Sequence, residues 1–183
     1  MTILSLPIAA VVAAACLSSP TASEDPQPQM RGNSTFCFEL YQQLRDRDGN
    51  LFFSPYSIST ALAMTYGGAR GETETEMAAV LHLSGEQAAV HGGFSSLQTQ
   101  LNAVQEKGNV QLSIANALWA QQGYAFLDAF LDLTKSHYGA GVRFVDFVGN
   151  TEAARVEINT WVEEQTKEKI KDLIKQGMLE PAT

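Results

Sequence analysis

The sequence is short of positive charge and lacks the common cofactor motifs. Its 12 Lys and Arg are outnumbered by 20 Asp and Glu, so the net charge at pH 7 is −8. A surface of this sign repels phosphate groups, and nucleic acid is therefore not an expected partner. The glycine-rich loops that bind nucleotide phosphates are also missing from the sequence. No cofactor is expected.

Histidine and cysteine are scarce, and their positions form no metal-binding or catalytic pattern. His82, His91 and His137 do not have the spacing of a zinc motif, and we expect them at the surface or at an interface. No nucleophile elbow surrounds any serine, so an enzyme is the least expected class. Cys37 falls on the apolar face of a helical pattern, which favours a small buried thiol over a reactive one.

No apolar run is long enough to span a bilayer, which takes about 20 residues. Residues 3–17 are mostly apolar, and small residues follow them before Glu24. This pattern predicts a secretory signal peptide at residues 1–23 and a secreted, extracellular protein. The alternative is a bacterial lipoprotein anchored through Cys16, because Ala-Ala-Ala-Cys loosely matches a lipidation site.

Residues 24–33 are polar and rich in Pro and Gln, which predicts a disordered linker. Asn33 opens an Asn-Ser-Thr acceptor sequence, a possible N-glycosylation site if a eukaryote secretes the protein. From Ser34 the apolar residues recur at helical spacing, and the pattern closes at Gly49. The folded domain is therefore expected at residues 34–183.

Residues 50–68 combine a strand pattern with strong helix signals. The apolar residues 51–53 predict a short strand. Ser54 can cap the helix that follows, and Pro55 suits its first position, where a missing N–H costs nothing. Gly67 and Gly68 predict the end of this helix, because glycine adopts left-handed backbone angles without penalty.

The rest of the sequence alternates helical and strand patterns, and it predicts an α+β fold with an incomplete sheet. Capping boxes at residues 73–76 and 84–87 predict two helix starts. Strands are predicted at 110–121 and 142–148, with a helix at 127–138 between them. A last helix is predicted from Asn150 or Thr151 to Gly177. It contains Glu163 and Lys167 at the i, i+4 spacing of a favourable ion pair. Two strands cannot complete a sheet, and an isolated pair is marginal in water. The chain is therefore expected to be part of a larger fold.

Five segments of the sequence, in order, resemble the serpin family. They are Asn-Leu-Phe-Phe-Ser-Pro-Tyr-Ser-Ile-Ser at 50–59, Gly-Gly-Ala-Arg-Gly-Glu-Thr at 67–73, Asn-Ala-Leu-Trp-Ala at 116–120, Phe-Val-Asp-Phe at 144–147, and Ile-Asn-Thr-Trp-Val-Glu-Glu-Gln-Thr-Lys-Glu-Lys-Ile at 158–170. The resemblance covers residues 34–183. It implies the N-terminal part of a serpin domain, with N-terminal helices and part of the central β-sheet.

The resemblance implies inhibition of a serine protease, or of a cysteine protease, by insertion of a cleaved reactive loop into that sheet. The loop would follow the last residues of this sequence, so the chain as written is expected to be truncated before it. The segment that matches the heparin-binding helix of some serpins, 86–107, offers only Lys107, so no heparin site is expected. The alternative is a non-inhibitory serpin-like carrier, chaperone or structural protein.

By the same resemblance, six residues would control sheet opening rather than catalysis. Ser54 and Ser57, with Pro55, match the start of the helix that lies beneath the opening point of the sheet, where the two hydroxyls are buried. Asn159, Trp161 and Thr166 match the long helix that lies over the sheet and must yield during insertion.

Overall fold

The computed structural model describes residues 26–106, 112–139 and 141–180. Their elements, in chain order, are α1 (Gln27–Leu44), α2 (Pro55–Tyr66), α3 (Glu72–Val80), α4 (Gln87–Glu106), β1 (Leu118–Gln121), α5 (Asp128–Tyr138), β2 (Val142–Val145) and α6 (Thr151–Gln165). Helices dominate and the sheet is small, so the α+β prediction with an incomplete sheet is confirmed. None of the described helices is long and apolar enough to cross a membrane.

Helix α1 begins seven residues earlier than predicted, at Gln27 instead of Ser34. Most of the predicted disordered linker is therefore helical. Gln29 is buried and its amide donates to the Ser84 carbonyl at 3.3 Å. Gly32 packs so closely on the His82 carbonyl that a Cβ would collide with it. The prediction of disorder was wrong because these polar residues pack α1 against other parts of the fold. The predicted signal peptide, 1–23, lies outside the described residues.

Helix α2 begins as predicted. Ser54 is its N-cap, with Oγ accepting from the Ser57 N–H at 3.3 Å, and Pro55 occupies the first helical position. The residues before it differ from prediction. Residues 51–53 form no strand, and the Phe52 side chain is 97% exposed. An extended segment needs a neighbouring strand to pair its backbone, and the described residues provide none here.

Gly67 ends α2 as predicted, but the physical reason is different. Its φ is −55°, which any residue adopts, so left-handed freedom is not what glycine supplies here. A Cβ on Gly67 would lie 3.0 Å from Leu133 Cδ2, and one on Gly68 would lie 3.4 Å from Phe130 Cε2. The two glycines let α5 approach the end of α2 closely.

The main core lies where α2, α4 and α5 meet. Its buried members are Ala63, Met64, Tyr66, Ala69, Val90, Phe94 and Tyr138. Neither predicted capping box forms. Helix α3 follows Gly71, two residues before Thr73, and α4 begins at Gln87 itself. The Gln87 amide donates instead to the carbonyls of Tyr66 and Ala69, at 3.1 and 3.0 Å, and ties α4 to the end of α2.

Strands β1 and β2 form a parallel pair, with α5 as the crossover between them. The register places Trp119 opposite Arg143. Both strands are shorter than predicted, because residues 112–117 and 146–148 are not in strand conformation. Within the described residues each strand has one partner only, so each keeps one unpaired edge.

Helix α6 is also shorter than predicted, ending at Gln165 instead of continuing to Gly177. Thr166 Oγ1 donates to the Val162 carbonyl at 2.7 Å and accepts from the Ile170 N–H at 3.1 Å. Lys167 and Glu168 then take left-handed backbone angles, with φ of 51° and 60°. Lys167 therefore lies outside the helix, so the predicted i, i+4 pair with Glu163 is wrong.

The exposed apolar groove beside α1 and the free strand edges predict self-association of the 183-residue chain when it is produced alone. The groove is lined by Cys37, Phe38, Tyr41, Leu51, Phe52, Phe53 and Pro55. We expect oligomers in light scattering and a broad unfolding transition, because apolar patches and unpaired edges recruit other chains. Phe52→Ser should reduce association, whereas Tyr124→Ser, at a 72% exposed aromatic outside the groove, should not. A sharp, reversible, monomeric transition would contradict this prediction.

Candidate functional site

The predicted site residues lie in two places, at the start of α2 and along α6. At the start of α2, Ser54 Oγ donates to Ser57 Oγ at 3.1 Å. Ser54 is exposed and Ser57 is partly exposed, so the described residues do not bury these hydroxyls beneath a strand. One turn further on, Ser59 and Thr60 are buried. Ser54, Ser57 and Thr60 recur every three residues, so this hydroxyl-bearing face of α2 runs from the surface into the interior, whereas Ser59 lies on another side of the helix.

Asn33, the predicted glycosylation site, contacts α2 on the side of Ser59. Its Oδ1 accepts from Ser59 Oγ at 2.7 Å, and the residue is half-buried within α1. The Asn33–Ser59 bond thus joins two helices. Glycosylation at Asn33 stays a prediction from the sequence.

Asn159 ties the chain that follows α6 back onto the helix. Its Nδ2 donates to the Ile174 carbonyl and its Oδ1 accepts from the Ile174 N–H, both at 2.9 Å. Arg155 Nη1 donates to the same carbonyl at 2.9 Å, and its Nη2 pairs with Glu152 at 2.7 Å. The hydrogen bond from Arg155 lowers the pKa of Glu152 below its ordinary value. Asn159 is buried, and the backbone of Ile174 satisfies both of its amide atoms.

Trp161 belongs to a cluster that joins α6 to the sheet. Its ring packs edge-on against Trp119 of β1, with centroids 5.9 Å apart. The Arg143 guanidinium of β2 lies 5.5 Å from the Trp119 ring and 5.4 Å from the Trp161 ring, within cation–π range. Thr166, the last predicted site residue, ends α6 through the hydrogen bonds described above. Of the residues predicted on α6, Trp161 therefore contacts the sheet, through its indole ring.

A polar groove of about 220 Å³ lies between these two places. Residues of α2, α4, the sheet and α6 line it, among them Thr60, Gln98, Asn116, Arg143 and Trp161. It runs beside residues 114–116, just before β1 begins. Within the described residues, no group of three potential metal ligands was found. The contacts described here position helices and strands relative to one another.

His91 contradicts the prediction that the histidines lie at a surface or interface. It is fully buried in α4, and its Nδ1 lies 2.6 Å from the Tyr138 hydroxyl of α5. Burial, assisted by nearby His137 and Arg70, lowers the pKa of His91 to about 4. Burial also raises the pKa of Tyr138. The sequence held one signal for this contact, because His91 lies three residues before the core residue Phe94 on the same helical face.

Protonation of His91 should destabilise the fold in mild acid. Its pKa is about 4 when folded and 6.5 ordinarily, so as pH falls below 6.5 the unfolded chain takes up the proton first. Stability is then lost between pH 6.5 and 4, by about 3 kcal/mol in total. Urea midpoints across this range should fall steeply for the wild type and for His82→Gln, and less for His91→Gln. Equal slopes for wild type and His91→Gln would refute the assignment.

Replacing Asn159 should release the segment after α6. Asn159→Ala removes both bonds to Ile174 and leaves the Ile174 N–H unpaired, at a cost of about 1–3 kcal/mol. Amide hydrogen exchange at residues 170–178 should accelerate. Asn102→Ala, at an exposed position of α4, is the matched control and should leave this segment unchanged. Identical exchange in both variants would show that the Asn159 bonds do not hold it.

Comparison with known proteins places this arrangement in a family. Residues 31–183 match the family model Serpin (serine protease inhibitor). An uncharacterised serpin-like protein of Thermococcus kodakarensis is 43% identical over 148 residues, which are 81% of this chain and 34% of that protein. The leukocyte elastase inhibitor of Bos taurus is 40% identical over 153 residues, 82% of this chain and 40% of that protein.

Solved structures agree with the sequence matches. Emu ovalbumin (Dromaius novaehollandiae) superposes with a TM-score of 0.72 and 30% identity over 85% of this chain and 43% of that one. A cleaved Serpin 42Da gives a TM-score of 0.69 and 28% identity, over 85% of this chain and 42% of that one. The chain thus spans about a third to two fifths of the length of these relatives. It belongs to the serpin family.

Proposed function

We propose that this chain contributes the N-terminal part of a serine-type protease inhibitor that acts by inserting a cleaved loop into its central sheet. The observation that carries the proposal is the packing of Trp161 of α6 against Trp119 of β1 and Arg143 of β2, beside strands that keep an unpaired edge among the described residues. Trp161 and Arg143 hold the helix there. The family match over residues 31–183 and a relative named leukocyte elastase inhibitor support the same activity.

The proposed roles of the site residues follow from their positions. Ser54, Pro55 and Ser57 start α2, whose hydroxyl face leads into the polar groove beside β1. In this proposal, strands that slide over that face exchange hydrogen bonds with it. Asn159, Trp161 and Thr166 fix the position and the end of α6, which must move when a strand enters. These residues would control sheet opening, and none would act as a catalyst.

Inhibition is proposed for the natural protein and not for the 183 residues alone. A loop that is cleaved and inserted would have to come from residues beyond those described. The proposed partner is accordingly a serine protease, or a cysteine protease, while nucleic acid and heparin are not proposed. Secretion is proposed from the sequence of residues 1–23, with lipid anchoring through Cys16 as the alternative.

The decisive experiment mixes the full natural chain with trypsin, chymotrypsin, elastase and papain. We expect a covalent complex that survives denaturing electrophoresis with at least one of them, since loop insertion traps the acyl-enzyme. Each protease with its nucleophile chemically blocked is the control and should form no complex. Cleavage without any stable complex would overturn the proposal and favour the alternative, a non-inhibitory carrier, chaperone or structural protein.

A further inference from the structure

Helix α6 is tied to the sheet at its start by a compact hydrogen-bond network. Asp146 Oδ1 accepts from Gln121 Nε2 at 3.0 Å and from the Gly149 N–H at 2.8 Å. Gln121 Oε1 in turn accepts from the Val148 N–H at 3.1 Å. These donors lower the pKa of Asp146 below its ordinary value. A Cβ on Gly149 would collide with the Asp146 carboxylate, so the turn into α6 is closely fitted.

A second directional connection lies far along the helix, at Trp161. Eleven residues separate Trp161 from the N-cap Asn150, which is about 16 Å at 1.5 Å per residue. A helix fixed at one end can still swing at the other. Because the contact at Trp161 lies far from the fixed end, it can restrain the C-terminal half of α6 against the sheet.

Arg143 is placed to make that contact. It lies directly opposite Trp119 in the β1–β2 register, so its backbone is fixed by the sheet. Its guanidinium lies over both indole rings, at 5.5 and 5.4 Å. The side chain of Arg143 is exposed. Within the described residues it makes no ion pair and no hydrogen bond. The two tryptophans are thus the partners that the described structure gives this cation.

The described part of the segment that follows α6 is hydrogen-bonded back to the helix at Ile174. Asn159 and Arg155 bind Ile174 back onto the helix itself. Helix α6 and this segment can therefore move together, without breaking these bonds. The side chains that must part when the far end of α6 lifts are the apolar ones beneath the helix and the cluster of Arg143 with its two indoles.

We propose that Arg143 is a positioning residue, which holds the C-terminal half of α6 against the sheet through cation–π contacts with Trp119 and Trp161. Loss of these contacts frees the helix to lift about its fixed start at Asp146 and Gln121. The consequence for protease trapping rests on the proposed function: a weaker Arg143 contact would let α6 yield earlier to an entering strand.

The test is amide hydrogen exchange of residues 151–165 in the full natural chain. Arg143→Gln should accelerate exchange by about five- to thirtyfold, from the usual strength of two exposed cation–π contacts. Arg143→Lys keeps a cation and should lie between Gln and wild type. Arg47→Gln, an exposed arginine in the loop after α1, is the matched control and should leave exchange unchanged. Circular dichroism of each variant confirms that it is folded.

Tryptophan emission gives a second readout, because the cluster contains two fluorescent rings, Trp119 and Trp161, and each variant is compared with Arg47→Gln in the same chain. Arg143→Gln should shift the emission to longer wavelength as the rings separate. Exchange and emission equal to those of Arg47→Gln would overturn the proposal, and so would Arg143→Lys behaving like Arg143→Gln. Faster exchange in a protein that traps no protease would sustain the role of Arg143 and remove only the proposed function.

Discussion

The close approach of α5 to the end of α2 is the contact on which the rest of the structure depends. It is possible because Gly67 and Gly68 have no side chains where Leu133 and Phe130 arrive. Helix α5 is also the crossover between β1 and β2, so its position fixes where the strand pair lies over the helical core. Helix α6 follows β2 directly and is placed in turn. A larger residue at Gly67 would therefore disturb the helix core and the sheet together.

Two kinds of contact hold α6, and they respond differently to movement. The buried residues Ala154, Ile158 and Val162 recur every four positions and form an apolar face that is not directional. Such a face can slide or be replaced by another apolar surface at modest cost. The hydrogen bonds at Asp146 and the Arg143 contact need particular geometries. This combination suits a helix that is bound to the sheet in one state and displaced from it in another.

Features fixed within a few residues could be predicted from the sequence, and features fixed by distant partners could not. The Ser54 cap and the end of the helix predicted at 127–138 need only their neighbours, and both are present, the helix ending at Tyr138 before Gly139 with φ of 65°. The strand at 51–53 and the long form of β1 need pairing partners that the described residues lack. His91 was placed wrongly because its burial depends on Tyr138, which lies 47 residues away.

The candidate site shows the same division. Trp161 could be proposed from the resemblance of its helix to a known family, because the residue itself carries the match. Arg143 could not, since an exposed arginine in a strand pattern predicts nothing more than solvent contact. Its role arises only when the parallel register sets it opposite Trp119 and α6 brings Trp161 over both. The contact of Arg143 with two indole rings thus depends on the strand register and on the position of α6. Local sequence patterns predict neither of these.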